Sequence, residues 1–133
     1  MKKYLLDTNI CVFILRGKFN IHKKIAEVGI ENCYISQITQ AELLYGAECS
    51  NRPIEITKTI SEFCKRIEVI PIGNSIPEFA RQKAILRKGG MLIDDFDLLI
   101  ASCAIANDFI MVTDNLKHLG RIGGIKLENW INR

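Results

Sequence analysis

The sequence predicts an α/β sandwich with a short, mainly parallel central sheet, and two observations carry that reading. Short, largely apolar runs recur at Tyr4-Leu5-Leu6, Cys33-Tyr34-Ile35, Glu68 to Ile72, Phe109 to Val112 and Ile125-Lys126-Leu127. They lack the polar alternation of a half-exposed sheet, as strands buried on both faces do. Between them stand segments with apolar residues at helical spacing. The resulting order is strand, helices, strand, helices, strand, helix, helix, strand, strand, the pattern of crossovers in a parallel sheet.

Size and composition suit such a fold. A chain of 133 residues has a single domain, residues 1–133, as its natural prior. With 48% hydrophobic and 25% charged residues it can build an ordinary core and carries no mark of disorder. A net charge of +3 and a pI near 8.6 permit a nucleic-acid partner without demanding one. No secretory leader precedes Asp7-Thr8-Asn9, and no apolar stretch approaches the roughly 18 residues of a membrane span. A cytoplasmic protein without a membrane role is expected. Five scattered cysteines form no C-x-x-C pair, and His22 and His118 lie near no cysteine pair. They read as reduced, small apolar groups rather than zinc ligands.

Each element has its own signals. After the first strand, Ile10 to Leu15 reads as a short helix stopped at Arg16-Gly17. Asn20 to Val28 places Ile21, Ile25 and Val28 on one helical face and ends at Gly29. Ser36 caps a helix whose apolar line is expected through Ile38, Ala41, Leu44 and Tyr45, with Glu42 beside it. Pro53 opens a helix to Arg66 that buries Ile56, Ile60, Phe63 and Ile67. Ser75-Ile76-Pro77-Glu78 has the spacing of a capping box, and its helix runs to Lys88 before Gly89-Gly90. Leu98 to Ala106 is apolar nearly all round and should be central. Lys117 to Arg121 reads as a polar connection to the last strand.

This arrangement gathers four acids. Asp7 follows the first strand and Asp114 the fourth, and parallel strands end on one edge. Asp97 opens the central helix, and Glu42 lies about two turns into the helix after the second strand, near the same edge. Singly, Asp7 and Asp97 have an ordinary reading as helix caps, and Asp114-Asn115 as a turn. A carboxylate such as Glu42 beside an apolar stripe needs a partner. Four acids in one cleft repel unless a cation occupies it. A carboxylate-only donor set suits Mg²⁺ or Mn²⁺, and such ions support phosphodiester hydrolysis by water.

The residues also resemble the PIN-domain ribonucleases of the VapC kind, toxins of type II toxin–antitoxin pairs. The resemblance rests on Leu5-Leu6-Asp7-Thr8-Asn9, Ala41-Glu42-Leu43-Leu44-Tyr45-Gly46, Phe96-Asp97-Leu98-Leu99-Ile100-Ala101 and Val112-Thr113-Asp114-Asn115. The closing Leu127-Glu128-Asn129-Trp130 is also similar, so it spans essentially the whole chain. It implies a PIN-like three-layer sandwich. It further implies an endoribonuclease that cuts tRNA or ribosomal RNA to block translation. Asp7, Glu42 and Asp97 would hold Mg²⁺, with Asp114 completing the pocket and Thr8, Asn9, Thr113 and Asn115 in support. Either Asp114 or Asn115 fits the fourth position of the family pattern. The resemblance implies a homodimer and a VapB-like antitoxin that forms a hetero-oligomer with the toxin and inserts a segment into the active-site groove.

RNA needs cations to meet its phosphates. Arg81, Lys83, Arg87, Lys117 and Arg121 are the candidates, each with an ordinary alternative reading as a solvated surface residue. Tyr45 could stack on a base, or lie in the core or a dimer interface. Two other functions fit parts of the pattern. An Asp after the first strand is also the nucleophile of haloacid-dehalogenase-like phosphatases, but the second acid expected two residues later is Asn9 here. A non-catalytic module that binds RNA or protein is the other.

Overall fold

The structure, a computed structural model, describes residues 1–132. Five strands form one sheet in the order β3-β2-β1-β4-β5, and all four pairings are parallel. They are β1 (Tyr4–Leu6), β2 (Cys33–Ser36), β3 (Glu68–Ile70), β4 (Ile110–Val112) and β5 (Leu127–Glu128). The helices are α1 (Thr8–Leu15), α2 (Ile21–Val28), α3 (Gln37–Glu48), α4 (Pro53–Arg66), α5 (Ile76–Lys88), α6 (Asp95–Ala106) and α7 (Leu116–Leu119).

The expected α/β class and three-layer sandwich hold. Strand side chains alternate between faces, so each strand feeds two cores. Tyr4, Leu6, Cys33, Ile35 and Val112 pack with Ile10, Ile21, Leu43, Ala47 and Ile60 from α1 to α4. On the other face Leu5, Tyr34 and Met111 pack with Leu86, Leu98, Ile100 and Ala101 from α5 and α6. Six residues of α6, from Leu98 to Ala104, are buried. Its apolar circumference therefore reflects real enclosure.

Several local expectations shift. Pro71 follows β3 and ends it early, because proline has no N–H for the ladder. The capping box at Ser75 does not form. Ser75 is already helical (φ −94°, ψ −10°) and its hydroxyl donates to Asn74, while Glu78 accepts from Arg81 and Gln82. The buried line of α3 is Thr39, Leu43 and Ala47, rotated from the predicted Ile38, Ala41, Leu44 and Tyr45. Tyr45 is 72% exposed, so it is not core. The Lys117–Arg121 connection contains the one-turn α7, and the last strand starts two residues late, at Leu127. Gly17 ends α1 as read, at φ +66°, a conformation that costs other residues a Cβ clash.

Strand order makes the site. From β1 the chain moves outward through β2 to β3, then returns to β4 on β1's other side. The crossovers leaving β1 and β2 cover one face, and the α5–α6 crossover covers the other. Beyond the carboxyl ends of β1 and β4 lies the crevice where doubly wound sheets bind ligands.

Candidate functional site

Asp7 occupies that crevice, one residue past β1, and is only 4% exposed. Its backbone N–H donates to the Val112 carbonyl at 2.9 Å, continuing the β1–β4 pairing. Its carboxylate is held at both oxygens. Oδ1 accepts the Thr8 N–H at 2.8 Å, and Oδ2 accepts the Thr113 hydroxyl at 2.8 Å. Asp7 thus caps α1 and also bridges two strand ends. Thr113 Oγ1 in turn accepts the Asn115 N–H at 3.0 Å, which fixes the rotor toward Asp7.

A second arm comes from α3. Ser36 caps the helix by accepting the Thr39 N–H, and Thr39 and Glu42, three residues apart, share a face. The Thr8 hydroxyl donates to Glu42 Oε1 at 2.7 Å and lies 3.1 Å from the Thr39 hydroxyl. Thr8 has one proton and gives it to Glu42, so Thr39 donates to Thr8. The third arm is the N-terminus of α6. Asp94 caps it, accepting from the N–H groups of Phe96 and Asp97. Asp97 is therefore not the cap. It sits on the third helical position with its carboxylate left for other work.

The acids sense one another. Burial first, then the charges of Asp7, Asp94 and Glu42, push the Asp97 carboxyl from 3.8 to about 6. Burial likewise raises Asp7, with Glu42 and Asp114 adding to the rise. The bonds from Thr113 and Thr8 oppose it, because they favour the charged form. The donors here are all oxygen, with no His or Cys among them, as a hard divalent cation prefers. Among the described residues no group of three or more His, Cys, Asp or Glu is already arranged to hold a metal ion. The two facts agree physically, since uncompensated carboxylates repel. The donor chemistry and mutual repulsion fit a cation, although the carboxylates are not closed around one.

The profile of the PIN domain family matches residues 4–124. The tRNA(fMet)-specific endonuclease VapC of Shigella flexneri is 34% identical over 131 residues, 98% of this chain and 99% of that one. The chain belongs to the PIN-domain family of VapC ribonucleases. The ribonuclease VapC2 of Haemophilus influenzae is also 34% identical, over 98% of this chain and all of that one. Among solved structures, DNA-bound VapBC from Salmonella typhimurium superposes with a TM-score of 0.91 at 32% identity, covering 98% and 99% of the two chains. VapBC2 from Rickettsia felis, bound to a promoter DNA fragment, gives 0.87 at 34% identity over 96% and 98%.

Within this VapC-family chain the predicted residues are not equally gathered. Hydrogen bonds join Asp7, Thr8, Glu42 and Thr113 directly, whereas Asp97 and Asp114 reach the group through charge. The Asn115 amide oxygen accepts from His118 Nδ1 at 2.8 Å, so that side chain is engaged with α7. Asn9 is exposed on the first turn of α1. Of the cations, Arg81 pairs with Glu78, and Lys83 pairs with Asp95 at 2.9 Å. Arg87 and Lys117 are exposed. Arg121 alone of the five lines a cleft of about 470 Å³ with Leu92, Ile93, Asp94, Asp97, Asn115 and His118. Sequence reading missed Thr39 and His118. A threonine three residues before Glu42 was a usable signal, hidden by the misplaced apolar line of α3. His118 lay in a stretch read as connection.

Proposed function

We propose that this chain is the RNA-cutting toxin of a toxin–antitoxin pair, a Mg²⁺-dependent endoribonuclease that hydrolyses phosphodiesters of tRNA or ribosomal RNA. Membership of the VapC ribonucleases makes it an RNA-hydrolysing nuclease, and PIN-domain nucleases use divalent metal ions. The observation that carries the assignment to these residues is the buried Asp7 carboxylate, pinned by Thr8 and Thr113 at the β1–β4 crevice and in electrostatic contact with Glu42 and Asp114.

Asp7, Glu42 and Asp97 would hold the cation, with Asp114 completing the pocket. When bound there, such a cation would supply Lewis-acid chemistry for phosphodiester hydrolysis by water. The chain's own groups orient and accept. Thr113 and Thr8 keep Asp7 charged and aimed. Thr8 occupies Oε1 of Glu42, leaving Oε2 to take a proton from the water. Thr39 fixes the Thr8 rotor, and Asp94 holds the α6 terminus so that Asp97 faces the site.

The partners follow from the same reading. Structural relatives are VapBC complexes. A groove of about 460 Å³ bounded by Thr8, Val12, Glu42, Leu43 and Ile56 adjoins the acids. A VapB-like antitoxin lying there would bring a basic side chain to Glu42. Tyr45 and Ile54, 72% and 88% exposed, support a homodimer surface on α3 and α4. Among the described residues no helix is long and apolar enough to cross a membrane. The cytoplasm, where RNA is met, is the proposed site of action. The match over residues 4–124 supports one domain. Neither the phosphatase reading nor the non-catalytic module draws support from any contact described above.

The deciding experiment incubates a tRNA pool with the protein and Mg²⁺, comparing wild type with folded Asp7→Asn and Asp97→Asn. Cleavage is expected from wild type alone, and equal cleavage by either variant refutes the site.

A further inference from the structure

The cleft beside Asp97 is lined from two unlike elements. Asp94 and Asp97 come from the start of α6, and His118 and Arg121 from α7 and the turn after it. An arginine that shares a cleft with two carboxylates can pair with them. Arg121 does not. It is in no salt bridge among the described residues, and its Nη1 donates instead to the neutral Leu92 carbonyl at 3.3 Å. The guanidinium is thus tethered to a neutral carbonyl and has no ion pair among the described residues.

His118 is held as specifically. Asn115 Oδ1 can only accept, so the imidazole Nδ1 carries the proton of their 2.8 Å bond. With its proton on Nδ1, the imidazole presents Nε2 as the acceptor. Gly120 makes the turn that brings His118 and Arg121 to one cleft, since a Cβ there would meet the Leu116 carbonyl at 2.8 Å. Paired cations elsewhere lack this availability: Arg81, Lys83 and Lys126 each have a carboxylate partner.

We infer that Arg121 and His118 form the seat for the nucleotide next to the scissile phosphate, Arg121 taking its backbone phosphate and His118 Nε2 accepting from its ribose 2′-hydroxyl. The chemistry of each group selects its target. A guanidinium with open donors suits a phosphate, and a bare imidazole nitrogen suits a hydroxyl donor, the group that distinguishes RNA from DNA. The inference rests on the ribonuclease reading above.

The test uses the full chain in two assays. Steady-state cleavage of a tRNA pool in Mg²⁺ separates KM from kcat. Fluorescence anisotropy of a labelled single-stranded RNA oligonucleotide, and of its DNA counterpart, gives affinity against salt in EDTA. Arg121→Gln should raise KM more than it lowers kcat, weaken RNA binding about tenfold and reduce the log–log salt slope by about 0.7. Arg121→Lys should keep the slope, and Arg121→Met, a second charge-removing variant, keeps the test open if Arg121→Gln fails to fold. His118→Phe should shrink the preference for RNA over DNA about threefold or more, as loss of one hydrogen bond predicts. If Asp97→Asn abolishes cleavage while the Arg121 and His118 variants keep wild-type KM, slope and sugar preference, the seat is overturned and the nuclease reading stands. Wild type that neither cuts tRNA nor binds the RNA oligonucleotide overturns both.

Discussion

Replacing Asp97 with asparagine should make the metal-free protein more stable at neutral pH, although it removes a proposed ligand. The substitution keeps side-chain size and removes the charge. In the folded chain Asp97 titrates near 6 rather than 3.8, so between those values the folded state binds more protons than the unfolded state. Stability therefore falls as pH rises from about 4 to about 6, and the whole cost is present above that. Unscreened, the rise is worth about 3 kcal/mol. Asp97 is only half-buried, and solvent screening brings the figure to about 1–2 kcal/mol. For a chain of 133 residues that is a gain of roughly 3–8 °C in Tm. Calorimetric melts in EDTA at about pH 7.5 and about pH 4.5 measure it, with the gain expected at the higher pH and none at the lower. Added Mg²⁺ should then stabilise wild type more than the variant, by mass action on the native state. A variant less stable than wild type at the higher pH, or equally favoured at both, refutes the reasoning.

Thr113→Val strips the buried Asp7 Oδ2 of its donor and should cost about 1–3 kcal/mol in urea unfolding. It should lower Mg²⁺-dependent cleavage about 10- to 100-fold, as loss of a group orienting a metal ligand does. Asp94→Asn keeps a good helix cap while deleting a charge that acts on Asp97. An NMR titration should show the Asp97 carboxyl falling part-way from about 6 toward its ordinary value, with a small gain in the melt at neutral pH and none at about pH 4. Leu98→Ala hollows the fully buried first layer under α6 and should cost about 2–5 kcal/mol by chemical denaturation.

The strands were legible because parallel sheets demand unbroken apolar runs, and β1, β2 and β4 fall within a residue of their predicted bounds. Errors arose where tertiary packing overrode local pattern. In α3 the sheet face selected Thr39, Leu43 and Ala47, and Thr39 is buried because its hydroxyl serves Thr8. A hydrophobic-stripe reading cannot anticipate a threonine inside. At Ser75 the serine–glutamate spacing was right, but the preceding 3₁₀ turn, Gly73–Ser75, had already made the serine helical. The acids were legible as strand-end and helix-start residues, yet which acid caps α6 was not. Asp94, Asp95 and Asp97 all suit a cap by type, and only backbone geometry at Asp94 (φ −55°, ψ 136°) selects it. That assignment frees Asp97 for the site.

The cluster survives its own repulsion because the elements carrying it have no freedom to retreat. Asp7 is locked by its backbone bond to Val112 and by donors on both oxygens. Asp97 rides on α6, whose position is set by burial of Leu98, Ile100, Ala101, Cys103 and Ala104 rather than by any charge. Burying several such side chains stabilises by roughly 1.5–3 kcal/mol each for the larger ones, against about 1–2 kcal/mol of burial cost and repulsion together at Asp97. The core therefore wins, and the misfit remains as raised carboxyl pKa values rather than as a displaced helix. In the proposed nuclease site a divalent cation would relieve that misfit. Arg121, tied to the Leu92 carbonyl, leaves Asp94 and Asp97 unquenched, and under the proposed function those acids would stay available to the cation.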